Sequence, residues 1–485
     1  MTDTLKDKTV RNIGYTSIAK VIQVTASAVA SIVLTRTLLP SDYGIVGFAG
    51  IFISFFAQFG DLGIGSAVIQ KKELKRVELY TAFTIKIVLS LGIFIIIFLC
   101  APLANRFFDN QAIVPVIRVL ALSFLLNTFG FLPNILLTRD LDYKKIAYSN
   151  VFSALLNSTV AVVLALTGFK YWSIVIAGIC MTISLSVLVN IYRPVQYRFA
   201  YDYRAAKEFL VFGGNLFLAG FTVFLIFNAD NFLIGAVKGA TNLGYYSVAF
   251  TWGTMACGLI GSMVLSVLFP TFSKIQGDKP RLKSSYLKIL QYVSFGGIFV
   301  NICLFVISKD FLLLVLGHNT DKWMPALTAF RVLCFYGIAR LLLEPVGSVI
   351  MALGRTNILK KANILTAVIE LGGLYPALYF YGIEGVAVLV TFAYMSQYVL
   401  YYWTLKDEMQ IGLGELIKCV KPALIAVIPL GILFFASEGI NKISFPIFIV
   451  KLIGCTFLYL VTYGLVTTWS LYKEMRGMLF NIYVR

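Results

Sequence analysis

The chain has 485 residues, 59% of them hydrophobic and only 13% charged, with a mean hydropathy of +0.85. Soluble domains carry about 25% charged residues, so an ordinary globular domain is excluded. The net charge of +18 is not a nucleic-acid footprint either, because 28 of the 41 Lys and Arg fall in every second gap between apolar segments.

Fourteen apolar segments follow one another: 12–39, 44–68, 79–104, 113–137, 147–168, 171–191, 209–235, 243–270, 286–308, 323–352, 358–381, 383–404, 419–437 and 445–470. A helix needs about 20 apolar residues to cross a bilayer. The expected fold is an all-α polytopic membrane protein with about 14 transmembrane helices. The basic gaps are 1–12, 69–78, 138–146, 192–208, 271–290, 353–361, 405–421 and 471–485, whereas the opposite gaps hold only Arg106, Lys170, Lys238, Lys309, Lys322 and Lys442. The positive-inside rule puts the basic side, and with it both termini, in the cytoplasm. The opening MTDTLKDKTVRN reads as an amphipathic lead-in rather than a signal peptide, since the apolar stretch after it is too long and lacks a small-residue cleavage site. No gap is long enough for a soluble catalytic domain.

Ionisable groups inside such segments cost several kcal/mol, so each is a functional candidate. Segment 1 carries Thr16, Lys20, Gln23, Ser27 and Ser31, which at 100° per residue share an arc of about 80°. That is either a wet face on a cavity or polar glue between helices; glue does not require Lys20. Arg36 points to the opposite side. Segment 2 repeats the pattern with Ser54, Gln58, Asp61 and Gly65, and Lys86 and Arg118 follow in segments 3 and 4. Lys20, Asp61 and Lys86 fall in the cytoplasmic third of their segments, and Arg36, Arg118 and Arg331 toward the other side. Basic groups at two depths could hand an anion across, although Arg36, Arg118 and Lys451 are equally placed to snorkel to the interface.

The basic stretch 193–208 divides the chain. The expected organisation is an N-lobe of helices 1–6 over 1–192, a cytoplasmic linker over 193–208, a C-lobe of helices 7–12 over 209–404, and helices 13–14 with a cytoplasmic C-terminus over 405–485. The second half echoes the first at an offset of 200: Gly14 and Ala19 match Gly214 and Ala219, Asp42-Tyr43-Gly44 matches Asn242-Leu243-Gly244, and Ala49 matches Ala249. Two six-helix lobes of a pseudo-repeat transporter, plus two further helices, account for this.

In the second half, helix 7 carries Asn215, Thr222 and Asp230, helix 10 carries Arg331, Arg340 and Glu344, and helix 11 carries Asn363, Thr366 and Glu370. Arg340 and Glu344, four apart, can neutralise each other. Glu370 is either an ion-coupling acid or the partner of a base on another helix. The interior ionisable groups are seven bases against four acids, which suits an anion such as a phosphate or pyrophosphate rather than a cationic drug. The candidate cationic cavity is Lys20, Lys86, Arg331, Arg340, Arg36 and Arg118. Its candidate polar lining is Thr16, Gln23, Ser27, Gln58, Asn215 and Thr222, and the candidate ion-coupling acids are Asp61, Asp230, Glu344 and Glu370.

The seven cysteines lie in or at the ends of apolar segments without a CxxC, as small core residues do. The one histidine, His318, lies in a predicted outside loop. No HExxH, GxSxG or Walker pattern occurs. Neither a catalytic set, a metal site nor a cofactor is expected; an ion gradient is the candidate energy source.

Residues 34–44, LTRTLLPSDYG, resemble the first-loop signature of the polysaccharide transporter family, the Wzx-type O-antigen and colanic-acid exporters of the multidrug/oligosaccharidyl-lipid/polysaccharide superfamily. Residues 59–71, FGDLGIGSAVIQK, and 269–273, FPTFS, resemble the exits of that family's helices 2 and 8. The resemblance implies a flippase of the bacterial inner membrane. It would carry undecaprenyl-pyrophosphate-linked oligosaccharide repeat units to the outer leaflet by alternating access, with the lipid tail left in the bilayer. The implied partners are lipid-linked oligosaccharide and membrane lipids, with polysaccharide polymerase and chain-length machinery alongside. A multidrug exporter of the same superfamily is the alternative, and a membrane glycan polymerase or ligase the alternative of another class.

Overall fold

The computed structural model describes residues 5–71, 73–108, 110–318, 320–438 and 444–467; the side chains of Asp61, Asn215 and Thr222 lie outside the described residues. Every element is helical, and no strand occurs among the described residues. In a bilayer each backbone N–H and C=O must be satisfied within its own segment, and helices do this without partners. Among the described residues, twelve helices are long and apolar enough to cross a membrane.

That count is lower than the fourteen apolar segments for two physical reasons. Segments 11 and 12 lie in one helical run, α13 (Thr356–Met395) with α14 (Gln397–Met409), interrupted at Gly382 with φ 64° and ψ −150°. Segments 7 and 8 share α8 (Tyr203–Gly253), interrupted at Gly239 with φ 78°; the rest of segment 8 is a π-turn and the 14-residue α9 (Ser262–Ile275). Helix 2 also differs from expectation. It ends at Asp61 as α2 (Pro40–Asp61) and resumes as α3 (Ile64–Gln70), because Leu62 and Gly63 take left-handed backbone, φ 38° and 64°.

The chain forms two compact units, Met1–Val248 with Glu370–Ile383, and Ala249–Ile369 with Glu384–Arg485. In the first, α1 (Leu5–Thr37) packs on α6 (Tyr143–Leu166), α6 on α7 (Trp172–Tyr192), and α5 (Ile113–Arg139) on both α7 and α4 (Arg76–Phe107). The buried face of α6 is Ala147, Ser149, Ser153, Ala154, Ser158, Ala161 and Ala165. Small residues let backbones approach where lipid removes the hydrophobic drive to associate. The hydroxyl of Ser184 then reaches Ser153 at 2.8 Å, and Asn190 Nδ2 donates to the Phe129 carbonyl at 2.8 Å.

The offset of 200 reappears as a reciprocal contact. A Cβ on Gly44 would fall on the Ala240 carbonyl, and a Cβ on Gly244 would fall on the Pro40 carbonyl. The two turns matched at that offset therefore approach each other closely at their glycines.

In the second unit, α10 (Lys279–Val306) packs on α12 (Leu327–Ala352) and α15 (Leu413–Glu438), α15 on α16 (Phe445–Val466), and α9 on α12. Phe272, Leu282, Tyr286, Val349 and Ile350 centre its core. Between α10 and α12 run a three-residue helix, α11 (Ser308–Asp310), a π-turn and a 3-10 turn. Lys451, for which snorkelling and an interior role were both open, is buried in an ion pair with Asp310 at 2.6 Å.

Candidate functional site

The first unit holds a polar cavity of about 380 Å³ beside Lys86, lined also by Ser66, Asn127 and Asn134. The residues around Lys86 explain its position. Thr81, Ala82, Phe83, Lys86, Ser90, Ile93 and Ile97 of α4 recur at the spacing of one buried face, so the ammonium is carried inward to 7% exposure. There Lys86 Nζ donates to the Gly60 carbonyl at 2.6 Å and lies 5.2 Å from the Phe131 ring. Gly60 is in the last turn of α2, where helix carbonyls lack intrahelical donors and the dipole favours a cation. Lys86 thus closes the end of α2 and borders the cavity at the same time. The cavity is thus bordered by an ammonium, a hydroxyl and two amides, groups able to donate hydrogen bonds to an anion.

A buried acidic cluster lies in the same unit. Asp230 on α8 is 2% exposed and Glu370 on α13 is 1% exposed. Asp230 accepts from the Tyr246 hydroxyl at 2.7 Å and from Asn231 backbone N–H at 2.7 Å and side-chain Nδ2 at 2.9 Å. Among the described residues neither carboxyl oxygen of Glu370 meets a hydrogen-bond donor, and Asp230 is within electrostatic range of it. Two buried carboxyls on neighbouring helices are a place where a proton or a small cation can be held.

Other expected residues of the first unit that are described have their own surroundings. On α1, Lys20 is exposed and Gln23 half-buried, Thr16 donates to the Asn12 carbonyl at 3.0 Å, and Ser27 lines a separate cavity of about 170 Å³ with Ser31, Tyr43 and Asn157. Arg36 is exposed in the last turn of α1. Gln58 turns back to the Ser54 carbonyl at 3.5 Å. Arg118 lies on the Phe98 ring at 4.5 Å and donates to the Phe98 carbonyl at 3.3 Å, so it packs α5 against α4.

Two expected cations belong to the second unit. Arg331 donates to Ser308 Oγ at 2.8 Å and sits 4.9 Å from the Phe434 ring, partners that are distant in sequence. Arg340 and Glu344 form the expected pair, at 4.0 Å. Thr366 accepts from Gln397 Nε2 at 2.9 Å. His318 is exposed in a left-handed turn, φ 50°. Among the described residues no group of three or more His, Cys, Asp or Glu could hold a metal ion.

Sequence reasoning did not single out Asn127 and Asn134. Their spacing of seven puts them on one face of α5, which was a legible signal. Tyr246 as partner of Asp230 had none, because the two meet across the break at Gly239.

The model of a family described as polysaccharide biosynthesis proteins matches residues 33–327. The chain belongs to this family. Relatives are similar over much of their length. The lipopolysaccharide biosynthesis protein WzxC of Escherichia coli is 27% identical over 74% of this chain and 73% of the relative. The succinoglycan biosynthesis transport protein ExoT of Rhizobium meliloti is 28% identical over 58% of this chain and 57% of the relative. Among solved structures, the inward closed lipid II flippase MurJ superposes with a TM-score of 0.74 at 12% identity, over 96% of this chain and 99% of that one. At that identity the likeness establishes the fold: this member of the polysaccharide biosynthesis family is a multi-pass helical membrane protein of the same architecture.

Proposed function

We propose that the chain is a flippase that moves undecaprenyl-pyrophosphate-linked oligosaccharide repeat units from the cytoplasmic to the outer leaflet of the bacterial inner membrane. It works by alternating access and serves lipopolysaccharide or exopolysaccharide biosynthesis. The observation that carries this reading is the Lys86 cavity: an ammonium at 7% exposure, with a hydroxyl and two amides around a void of about 380 Å³, inside a member of the polysaccharide biosynthesis family. Its similarity to WzxC, a lipopolysaccharide biosynthesis protein, and to ExoT, a succinoglycan biosynthesis transport protein, supports it.

On this reading the protein is a transporter and not an enzyme. The pyrophosphate is held at Lys86, and Asp230 and Glu370 take the coupling ion, supported by the burial of both carboxyls and the lack of donors to Glu370. Both termini face the cytoplasm, supported by the alternation of basic gaps. The repeat lobes are 1–192 and 209–404, and a polysaccharide polymerase with its chain-length machinery uses the product.

The test is deletion of the gene in its host, followed by analysis of lipid-linked intermediates. Accumulation of cytoplasmic-side repeat units with loss of surface polysaccharide is expected. Unchanged intermediates with altered drug tolerance would make it an exporter. Flipped but unpolymerised units would make it an enzyme acting downstream.

A further inference from the structure

The first unit contains a second cavity, of about 680 Å³, with walls supplied by α2, α4, α8 and α13. Its lining is aromatic: Phe55, Phe56, Phe107, Phe224 and Phe232 face it, with Phe55 and Phe224 rings 5.9 Å apart and Phe107 and Phe232 rings 6.0 Å apart. The Asn228 amide on its wall donates to the Phe224 carbonyl of its own helix at 2.9 Å. A sugar or phosphate placed there would lose hydrogen bonds to water without regaining them, at a cost of several kcal/mol. The cavity therefore selects a hydrocarbon.

The Lys86 cavity of the same unit says which hydrocarbon. Both voids are lined from α2 and α4, by different residues of each. On α2, Phe56 lines the apolar one while Ala57 and Gly60 line the polar one; on α4, Lys86 lines the polar one while Cys100 and Leu103 line the apolar one. From Lys86 to Leu103 is 17 residues, about 25 Å along a helix. A ligand that spans both carries an anionic head directly on one long hydrocarbon chain. Isoprene units add a π bond and a methyl every five carbons, groups that pack against aromatic faces better than a bare methylene chain does.

We propose that this cavity binds the head-proximal isoprene units of the substrate's polyisoprenoid chain, an assignment that rests on the flippase reading and refines it. Only the distal part of the lipid then stays in the bilayer, in contrast to a tail left wholly outside the protein. The buried acids lie next to this wall, Asp230 beside Ala229 and Glu370 beside Leu371, so ion binding and lipid binding are built on the same two helix turns.

The test uses the full chain in nanodiscs with two photoreactive probes, a geranylgeranyl pyrophosphate and a hexadecyl pyrophosphate, each with a diazirine at the chain end. Mass mapping should find the geranylgeranyl adducts in 51–56, 100–107, 224–233 and 371–375, with hexadecyl adducts there several-fold fewer. Ala229→Phe, which puts a ring into the cavity, should reduce those adducts on the order of tenfold, the loss expected for excluding about two methylene equivalents. Leu99→Trp, at a position 71% exposed on α4, should leave them unchanged. Adducts confined to outward-facing residues such as Leu99, or equal labelling by the two probes, would overturn the proposal. If the deletion strain accumulates lipid-linked units while adducts fall elsewhere, the cavity assignment alone fails. If adducts fill the cavity while the strain exports normally, the isoprenoid site stands and the flippase reading fails.

Discussion

Replacing Lys86 by Met removes the buried ammonium and keeps the length of the side chain. Two consequences can be separated. For folding, the ammonium sits at 7% exposure, so its loss relieves a desolvation penalty. It also leaves the Gly60 carbonyl, now bonded at 2.6 Å, without its donor, which costs about 1–3 kcal/mol. The opposing effects should hold the melting temperature in detergent within a few degrees of wild type. For binding, a hydrogen bond to a charged group contributes about 1.5–3 kcal/mol, so an anionic headgroup should bind about 10- to 150-fold more weakly. Lys86→Arg keeps the charge and should recover most of that affinity. The assay is equilibrium binding of radiolabelled polyprenyl pyrophosphate to the purified protein in nanodiscs, run beside a thermal melt. A Lys86→Met protein that melts normally and binds within twofold of wild type would refute the assignment of this cavity to the headgroup.

Other outcomes follow from the geometry. Gly44→Ala and Gly244→Ala each drive a methyl onto a backbone carbonyl and should destabilise by about 1–3 kcal/mol or more, whereas Gly50→Ala, with open space around its Cβ, should not; melting in detergent decides. Lys451→Met strands the buried Asp310 carboxylate, paired now at 2.6 Å, at a cost of about 3–5 kcal/mol; adding Asp310→Leu should restore most of it, and a single variant as stable as wild type would contradict the pairing. Glu370→Gln should leave headgroup binding intact but remove the dependence of flux on a proton or sodium gradient, measured by imposing each gradient on proteoliposomes. Arg118→Met should change export less than about twofold, since the guanidinium is engaged by Phe98 and an aromatic contact of this kind contributes about 0.5–2 kcal/mol.

The membrane architecture was legible because hydropathy and charge alternation are periodic signals that survive without tertiary context. The spans Tyr143–Leu166 and Trp172–Tyr192, separated by a very short turn in sequence, do stand apart, with Gly168 at φ 89° and Lys170 at φ 49° making the turn. The split of helix 2 was partly legible, since Gly63 was visible, but a left-handed Leu62 beside it was not. Lys86 was legible as a buried cation from its depth in an apolar segment. Which buried charges meet was not, because their partners are far along the chain: Lys451 pairs with a residue 141 positions away, and Arg331 reaches Ser308 and Phe434. The aromatic cavity left no trace in the sequence, since phenylalanines facing a void and phenylalanines facing lipid have the same helical spacing.

The most direct test of the central claim is flipping itself. The purified protein is reconstituted into liposomes loaded with polyprenyl-pyrophosphate-linked oligosaccharide on the inner leaflet, and its arrival outside is followed with a membrane-impermeant glycosidase. The account predicts that wild-type protein exposes the oligosaccharide far faster than empty liposomes and that Lys86→Met returns the rate toward the empty-liposome level. Folded wild-type protein that exposes no more oligosaccharide than empty liposomes, with and without an ion gradient, would contradict it.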